Sequence, residues 1–154
     1  MKQSAGLLMF RRTAGGVEVL LVHPGGPFWR NKDAGAWTIP KGEAADGEDL
    51  LERAKIEFEE ELGIAPKITD PIDLESVRQA GGKVVHAWAF EGDLPADFQL
   101  RSNTFEVEWP PRTGKRESFP EVDRAEFFAI AEARDKINAA QTAFLDRLSD
   151  ALKA

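Results

Sequence analysis

Two apolar, β-type runs open the chain, Ala5 to Arg11 and Val17 to His23, separated by Thr13-Ala14-Gly15-Gly16, an order that predicts a β-hairpin. His23-Pro24-Gly25-Gly26-Pro27 breaks regular structure and opens a loop through Gly35. Ala36 to Ile39 reads as a short strand closed by Pro40-Lys41-Gly42. From Gly47 to Leu62 the period changes: Leu51, Ala54, Phe58 and Leu62 fall at helical spacing on one apolar stripe, and Gly63 supplies a C-terminal stop. Ile68 to Arg78 and Lys83 to Glu91 read as strands joined through Gly81-Gly82, and Phe105 to Trp109 as a further strand. A Pro-rich basic loop follows, Pro110 to Arg116, and Ala125 to Ala154 closes the chain in helical pattern with Phe128, Ile130, Ile137, Phe144, Leu145, Leu148 and Leu152 toward a core. Strands outnumber helices and their order is mixed, so the expected architecture is an α+β sandwich with a mixed sheet between helices.

At 154 residues, with no repeat, low-complexity tract or long linker, residues 1–154 read as one domain. No cysteine is present, which excludes disulfides, thiolate metal sites and a thiol nucleophile. The apolar stretch Ala5 to Phe10 is too short, and too soon followed by Arg11 and Arg12, for a signal peptide or a membrane span, so a cytoplasmic location without membrane association is the expectation. Only His23 and His86 remain as imidazoles, and both lie in strand patterns that suit structural roles.

Charge sharpens this picture. The chain carries 20 Lys and Arg against 27 Asp and Glu, a net charge of −7, and shows no basic nucleic-acid footprint. The whole excess sits between Gly42 and Gly63, where nine acids face two bases, leaving 18 of each elsewhere. A solvated acidic helix face is the ordinary explanation of such a run. Spacing argues for more: at about 100° per residue, Glu60 and Glu61 fall on either side of Glu57 within one narrow face, away from the apolar stripe of Leu51, Phe58 and Leu62. Three converging carboxylates repel one another when bare, and hard divalent cations prefer such oxygens.

Gly42, Glu48, Glu57, Glu60, Glu61, Gly63 and Ile64 together make GEAADGEDLLERAKIEFEEELGI resemble the Nudix box, G-x5-E-x7-R-E-U-x-E-E-x-G-U with U bulky and aliphatic. Two positions depart: Ile56 stands where the family has Arg, and Phe58 is aromatic. The resemblance implies the family's α/β/α sandwich and hydrolysis of a nucleoside diphosphate linked to another moiety, by metal-assisted attack of water on phosphorus. By position it gives Glu57, Glu60 and Glu61 as ligands of magnesium, with manganese as the alternative, and Glu48 and the Gly42 carbonyl as accessory ligands. One carboxylate serves as base, and spacing does not select it. Arg53, one turn before Glu57, is placed to substitute for the missing Arg through an i, i+4 pair.

Two further stretches are similar to the branch acting on dinucleoside polyphosphates and diphosphoinositol polyphosphates. Trp37-Thr38-Ile39-Pro40-Lys41-Gly42 resembles its W-x-x-P-K-G segment, which implies that Lys41 reaches a phosphate. Phe119-Pro120-Glu121-Val122-Asp123 resembles its P-E-x-D segment, which implies a catalytic contribution from Glu121, with service as base among the roles. Arg112, Lys115 and Arg116 are further candidate phosphate cations, and Phe28, Trp29 and Trp109 are candidate stacking partners for a nucleobase. The expected activity is pyrophosphohydrolysis of a nucleoside triphosphate or dinucleoside polyphosphate by a monomer or homodimer. The alternatives are a diphosphoinositol polyphosphate hydrolase, a non-catalytic nucleotide-binding regulatory module of the same fold, and an acidic interaction protein without metal.

Overall fold

The computed structural model describes residues 2–153. Eight strands and three α-helices follow in the order β1 (Gln3–Thr13), β2 (Gly16–Pro24), β3 (Lys41–Glu43), α1 (Leu50–Leu62), β4 (Ile72–Arg78), β5 (Val84–Glu91), β6 (Thr104–Glu108), β7 (Arg116–Pro120), β8 (Val122–Ala129), α2 (Ile130–Lys136) and α3 (Thr142–Lys153). The central sheet runs β4-β5-β1-β2-β8, and β1 lies parallel to β5 while its other pairings are antiparallel. That mixed sheet lies between α1 on one face and α2 and α3 on the other, as the element order predicts.

Alternation along β1 divides the core in two. Ala5, Leu7 and Met9 join Leu20, Val22, Phe90 and the α1 residues Ala54, Phe58 and Leu62 in one buried cluster. Leu8 and Phe10 join Val19, Leu21, Trp37, Phe128 and the α3 residues Phe144, Leu145 and Leu148 in the other. The first half of β1 pairs with β3 at Ser4 to Gly6, and the second half pairs with β2 at Phe10 to Thr13. This split brings the Pro40-Lys41-Gly42 segment beside the C-terminal half of α1.

Several boundaries differ from the sequence reading, each for a local reason. Ala125–Ala129 is the end of β8, where the pattern suggested helix: short apolar runs fit either period, and seven registered pairings with β2 decide for strand. Helix begins only at Ile130 and is interrupted at Ile137, whose extended backbone bridges to Trp37. Arg116, expected in the basic loop, opens β7, a two-stranded partner of β6 outside the main sheet. Lys41–Glu43, expected only to close a strand, forms β3, while the expected strand Ala36–Ile39 is reduced to single bridges from Trp37 and Thr38. The strand expected from Ile68 starts at Ile72, after Asp70 turns with φ 48 and Pro71 removes a donor. Helix α1 starts at Leu50 and not Gly47 because Asp49 caps it, its carboxylate accepting the Glu52 N–H at 3.0 Å. Gly63 ends it in the left-handed region at φ 83, returning its N–H to the Glu59 carbonyl at 2.7 Å. Ala154 lies outside the described residues.

Candidate active site

The site is assembled where four segments meet. Asn103 donates its N–H to the Glu60 carbonyl at 3.0 Å, the Glu121 N–H donates to the Asn103 carbonyl at 2.8 Å, and the Gly25 N–H donates to the Glu121 carbonyl at 2.9 Å. The last turn of α1, the base of the β6–β7 hairpin, Glu121 and the loop after β2 are thus fixed to one another by backbone bonds. Neighbouring β3 is locked by the Lys41 N–H, which donates to Glu61 Oε2 at 3.2 Å.

Glu61 is 6% exposed, on the buried side of α1 beside Leu62. Burial, more than any neighbour, pushes its carboxyl up to about 8; the negative charges of Glu57 and Glu121 add to the rise and Lys41 opposes it. Glu57 is half-buried and is also raised, first by burial, with Glu60 and Glu121 adding and Arg53 opposing. Its carboxyl packs directly against the Gly42 Cα, where a Cβ would overlap it. Arg53 Nη1 lies 3.1 Å from Glu57 Oε2, the i, i+4 pair that the sequence spacing allows, and Ile56 is 41% exposed and not packed under a neighbouring element. Arg53 also holds Glu48 at 2.8 Å, which lowers the Glu48 carboxyl.

These carboxylates form an oxygen-only donor set on one edge, and two of them carry an ionisation cost that a bound cation would remove. The set fits a hard divalent ion. Among the described residues no three acidic or histidine side chains lie close enough to enclose an ion as they stand. Arg53 draws Glu48 and Glu57 to itself, and exposed Glu60 points its charge to solvent.

The candidate cations divide. Lys41 is half-buried beside Glu61, and burial foremost depresses its ammonium, with the charge of Lys83 adding to the fall. Arg112, Lys115 and Arg116 are exposed at the far end of the hairpin, and Arg116 is paired with Glu106 at 3.7 Å. That end is four strand positions, about 14 Å, from the base at Thr104 and Pro120. Two aromatic candidates meet there, Phe28 packing edge-on to Trp109 with centroids 5.7 Å apart, whereas Trp29, 39% exposed, lies under Lys32 at 5.1 Å. Arg30 stacks over Trp109 at 6.0 Å. Sequence reasoning passed over Arg30, Lys83 and Asn103, which stand in no recognisable motif and owe their places to tertiary pairing.

A mixed sheet between helices, with an acidic helix edge facing a lysine-bearing strand, defines an α/β/α sandwich. The model of the NUDIX domain matches residues 1–148, and the chain belongs to that family of phosphoanhydride hydrolases. No curated protein matches the chain. Among solved structures it is similar to an Ap4A hydrolase of C. elegans in a binary complex, with a TM-score of 0.69 and 25% identity over 99% of this chain and 98% of that one. It resembles the NUDIX domain of NrtR from Shewanella oneidensis, complexed with ADP ribose, with a TM-score of 0.66 and 17% identity over 97% and 87%. A MutT protein of Methanosarcina mazei Go1 aligns with a TM-score of 0.62 and 21% identity over 99% and 96%. Those last two likenesses concern the fold alone. Nudix hydrolases generally use divalent metal ions. No helix among the described residues is long and apolar enough to cross a membrane.

Proposed function

We propose that the protein is a magnesium-dependent pyrophosphohydrolase that cleaves a phosphoanhydride bond of a nucleoside triphosphate or dinucleoside polyphosphate. The observation that carries this reading is the buried Glu61, hydrogen-bonded to the Lys41 backbone of β3 and one helical turn from the half-buried Glu57. Likeness to the C. elegans Ap4A hydrolase supports the choice of substrate class.

Glu57, Glu60 and Glu61, with Glu48 and the Gly42 carbonyl as accessories, would hold the ion. Bound there, it supplies Lewis acidity to the phosphoryl oxygens and offsets their negative charge. Arg53 orients Glu57. Glu121, fixed between Asn103 and Gly25, accepts a proton from the attacking water as base. The water oxygen forms the new bond to phosphorus while the bridging P–O bond breaks and the leaving phosphate departs with the electron pair. Lys41 neutralises a phosphate near the reacting centre, and Arg112, Lys115 and Arg116 serve the distal part of the substrate with Trp29 and Trp109.

Phosphate and nucleotide products measured across nucleoside triphosphates, oxidised nucleotides, dinucleoside polyphosphates, nucleotide sugars and diphosphoinositol polyphosphates test the assignment. Magnesium-dependent turnover of dinucleoside tetraphosphate or nucleoside triphosphate is expected to exceed that of nucleotide sugars. Tight nucleotide binding without turnover would instead make the protein a regulatory module.

A further inference from the structure

His23 is 1% exposed, yet the proposed chemistry leaves it unused. Its Nδ1 lies 2.8 Å from Asp123 Oδ1 and its Nε2 lies 2.6 Å from the Lys32 carbonyl oxygen. Each ring nitrogen therefore faces an oxygen of a different segment, and the buried ring ties the two segments together. Asp123, less buried than the ring, supplies the carboxylate on one side of it. The ring also rests against Trp37, centroids 5.2 Å apart and planes at 66°.

The two bonds join two segments that are distant in sequence, the loop after β2 and the start of β8. Lys32 belongs to the loop after β2, and its N–H donates to the Trp29 carbonyl at 2.9 Å, so holding Lys32 holds the turn that presents Trp29. Asp123 stands two residues after Glu121 in β8, beside the irregular register at His23/Pro24. The loop is secured beyond Lys32 by Asp33, which accepts from Trp37 Nε1 at 2.7 Å, and by the Gly35 N–H, which donates to the Asp135 carbonyl at 3.0 Å. A substituted ring would therefore free one stretch of loop, while its end stays attached.

We propose that His23 is a positioning residue, a two-sided clamp that holds the Trp29 loop and the Glu121–Asp123 segment at the start of β8 in one fixed relation. The link to substrate rests on the function proposed above, whereas the clamp itself does not.

The test uses the full chain with His23→Gln and Asp123→Asn. Amide exchange in residues 26–32 should accelerate about tenfold in His23→Gln relative to the wild type while β5 is unchanged. With dinucleoside tetraphosphate and magnesium, each variant should raise KM about tenfold with a smaller change in kcat, and the double variant should add little to either single one. Loop exchange unaltered in both variants would overturn the clamp. If His23→Gln does not fold, Asp123→Asn alone decides, because Asp123 lies nearer the surface. Absence of turnover by the wild type would count against the proposed substrate and leave the amide exchange to judge His23. Normal turnover with unchanged KM in both variants would show that the clamp does not serve the site.

Discussion

Arg53 and Glu57 face one another across a single turn of α1, Nη1 to Oε2 at 3.1 Å, and the same guanidinium holds Glu48 through Nη2 at 2.8 Å. One arginine thus spans two carboxylates that the Nudix box assigns to metal. Ile56, in the place of the family's arginine, is 41% exposed, so a longer polar side chain fits there without repacking. Arg53→Ala is expected to lower turnover about tenfold or more, and Ile56→Arg to restore part of it. A double-mutant cycle on kcat measures the coupling; strictly additive effects would show that Arg53 does not position Glu57.

Glu61 makes stability depend on pH. Its carboxyl titrates near 4.5 in the unfolded chain and at about 8 in the fold, so between these values the folded state keeps a proton that the unfolded state has lost. The contribution to stability is complete below about pH 4.5 and is lost as pH rises through about 8. Glu57 acts in the same direction. Metal-free protein is therefore expected to lose stability across this window, and Glu61→Gln to flatten the profile. Urea midpoints from pH 5 to 9 provide the check; an unchanged profile in Glu61→Gln would place the dependence elsewhere.

Magnesium should reverse that loss. Binding to the folded state alone gains about 2.7 kcal/mol at a hundredfold excess over Kd, seen as a rise in Tm. Glu60 is exposed and its side chain makes no bond among the described contacts, so Glu60→Gln should leave the metal-free protein as stable as the wild type while removing activity by several orders of magnitude. A Glu60→Gln protein several kcal/mol less stable without metal would make Glu60 a structural residue.

Much of this site is legible in sequence because it is local. Asp49, Arg53, Glu57, Glu61 and Gly63 lie on one helix, where spacing alone fixes which side chains share a face, and the Arg53–Glu57 pair follows from it. Burial of Glu61 does not follow, since it depends on β3 pairing with β1 and closing over the helix end. The β8 strand was hidden for a similar reason: its Ala-Glu-Phe-Phe-Ala segment becomes strand through pairing with β2, one hundred residues away in sequence or about that. Equally, nothing in the local pattern announces that Asn103 ties α1 to Glu121 by backbone alone.

Gly42 gives a steric test of the same geometry. A methyl group there would enter the space of the Glu57 carboxyl, with β3 paired to β1 on the other side. Gly42→Ala is expected to displace Glu57, destabilise the fold by about 1–3 kcal/mol and weaken the magnesium-induced rise in Tm. Calorimetry with and without magnesium measures both; a normal metal response would mean that Glu57 is not a ligand in its present position.

On the proposed function, the hairpin cations are expected to govern substrate length. Arg112 and Lys115 occupy its far end, about 14 Å beyond the rung of Thr104 and Pro120, which adjoins Glu121. A phosphate at the carboxylate edge cannot also touch that end, so these charges assist only a substrate that extends outward from the scissile bond. Lys115→Ala and Arg112→Ala should therefore raise KM for a dinucleoside tetraphosphate more than for a nucleoside triphosphate. Arg116→Ala should follow the same order with a smaller effect, because Arg116 is exposed and already shares charge with Glu106 at 3.7 Å. Glu121→Gln, at the near end, should lower kcat with little change in KM, since a base acts on the water and not on the distal nucleotide. Steady-state kinetics on the two substrates separate these effects. Equal losses for both would place the tip outside the substrate path, and a preference for nucleotide sugars indifferent to Lys115 and Arg116 would remove the polyphosphate assignment while leaving the Nudix chemistry of α1 in place.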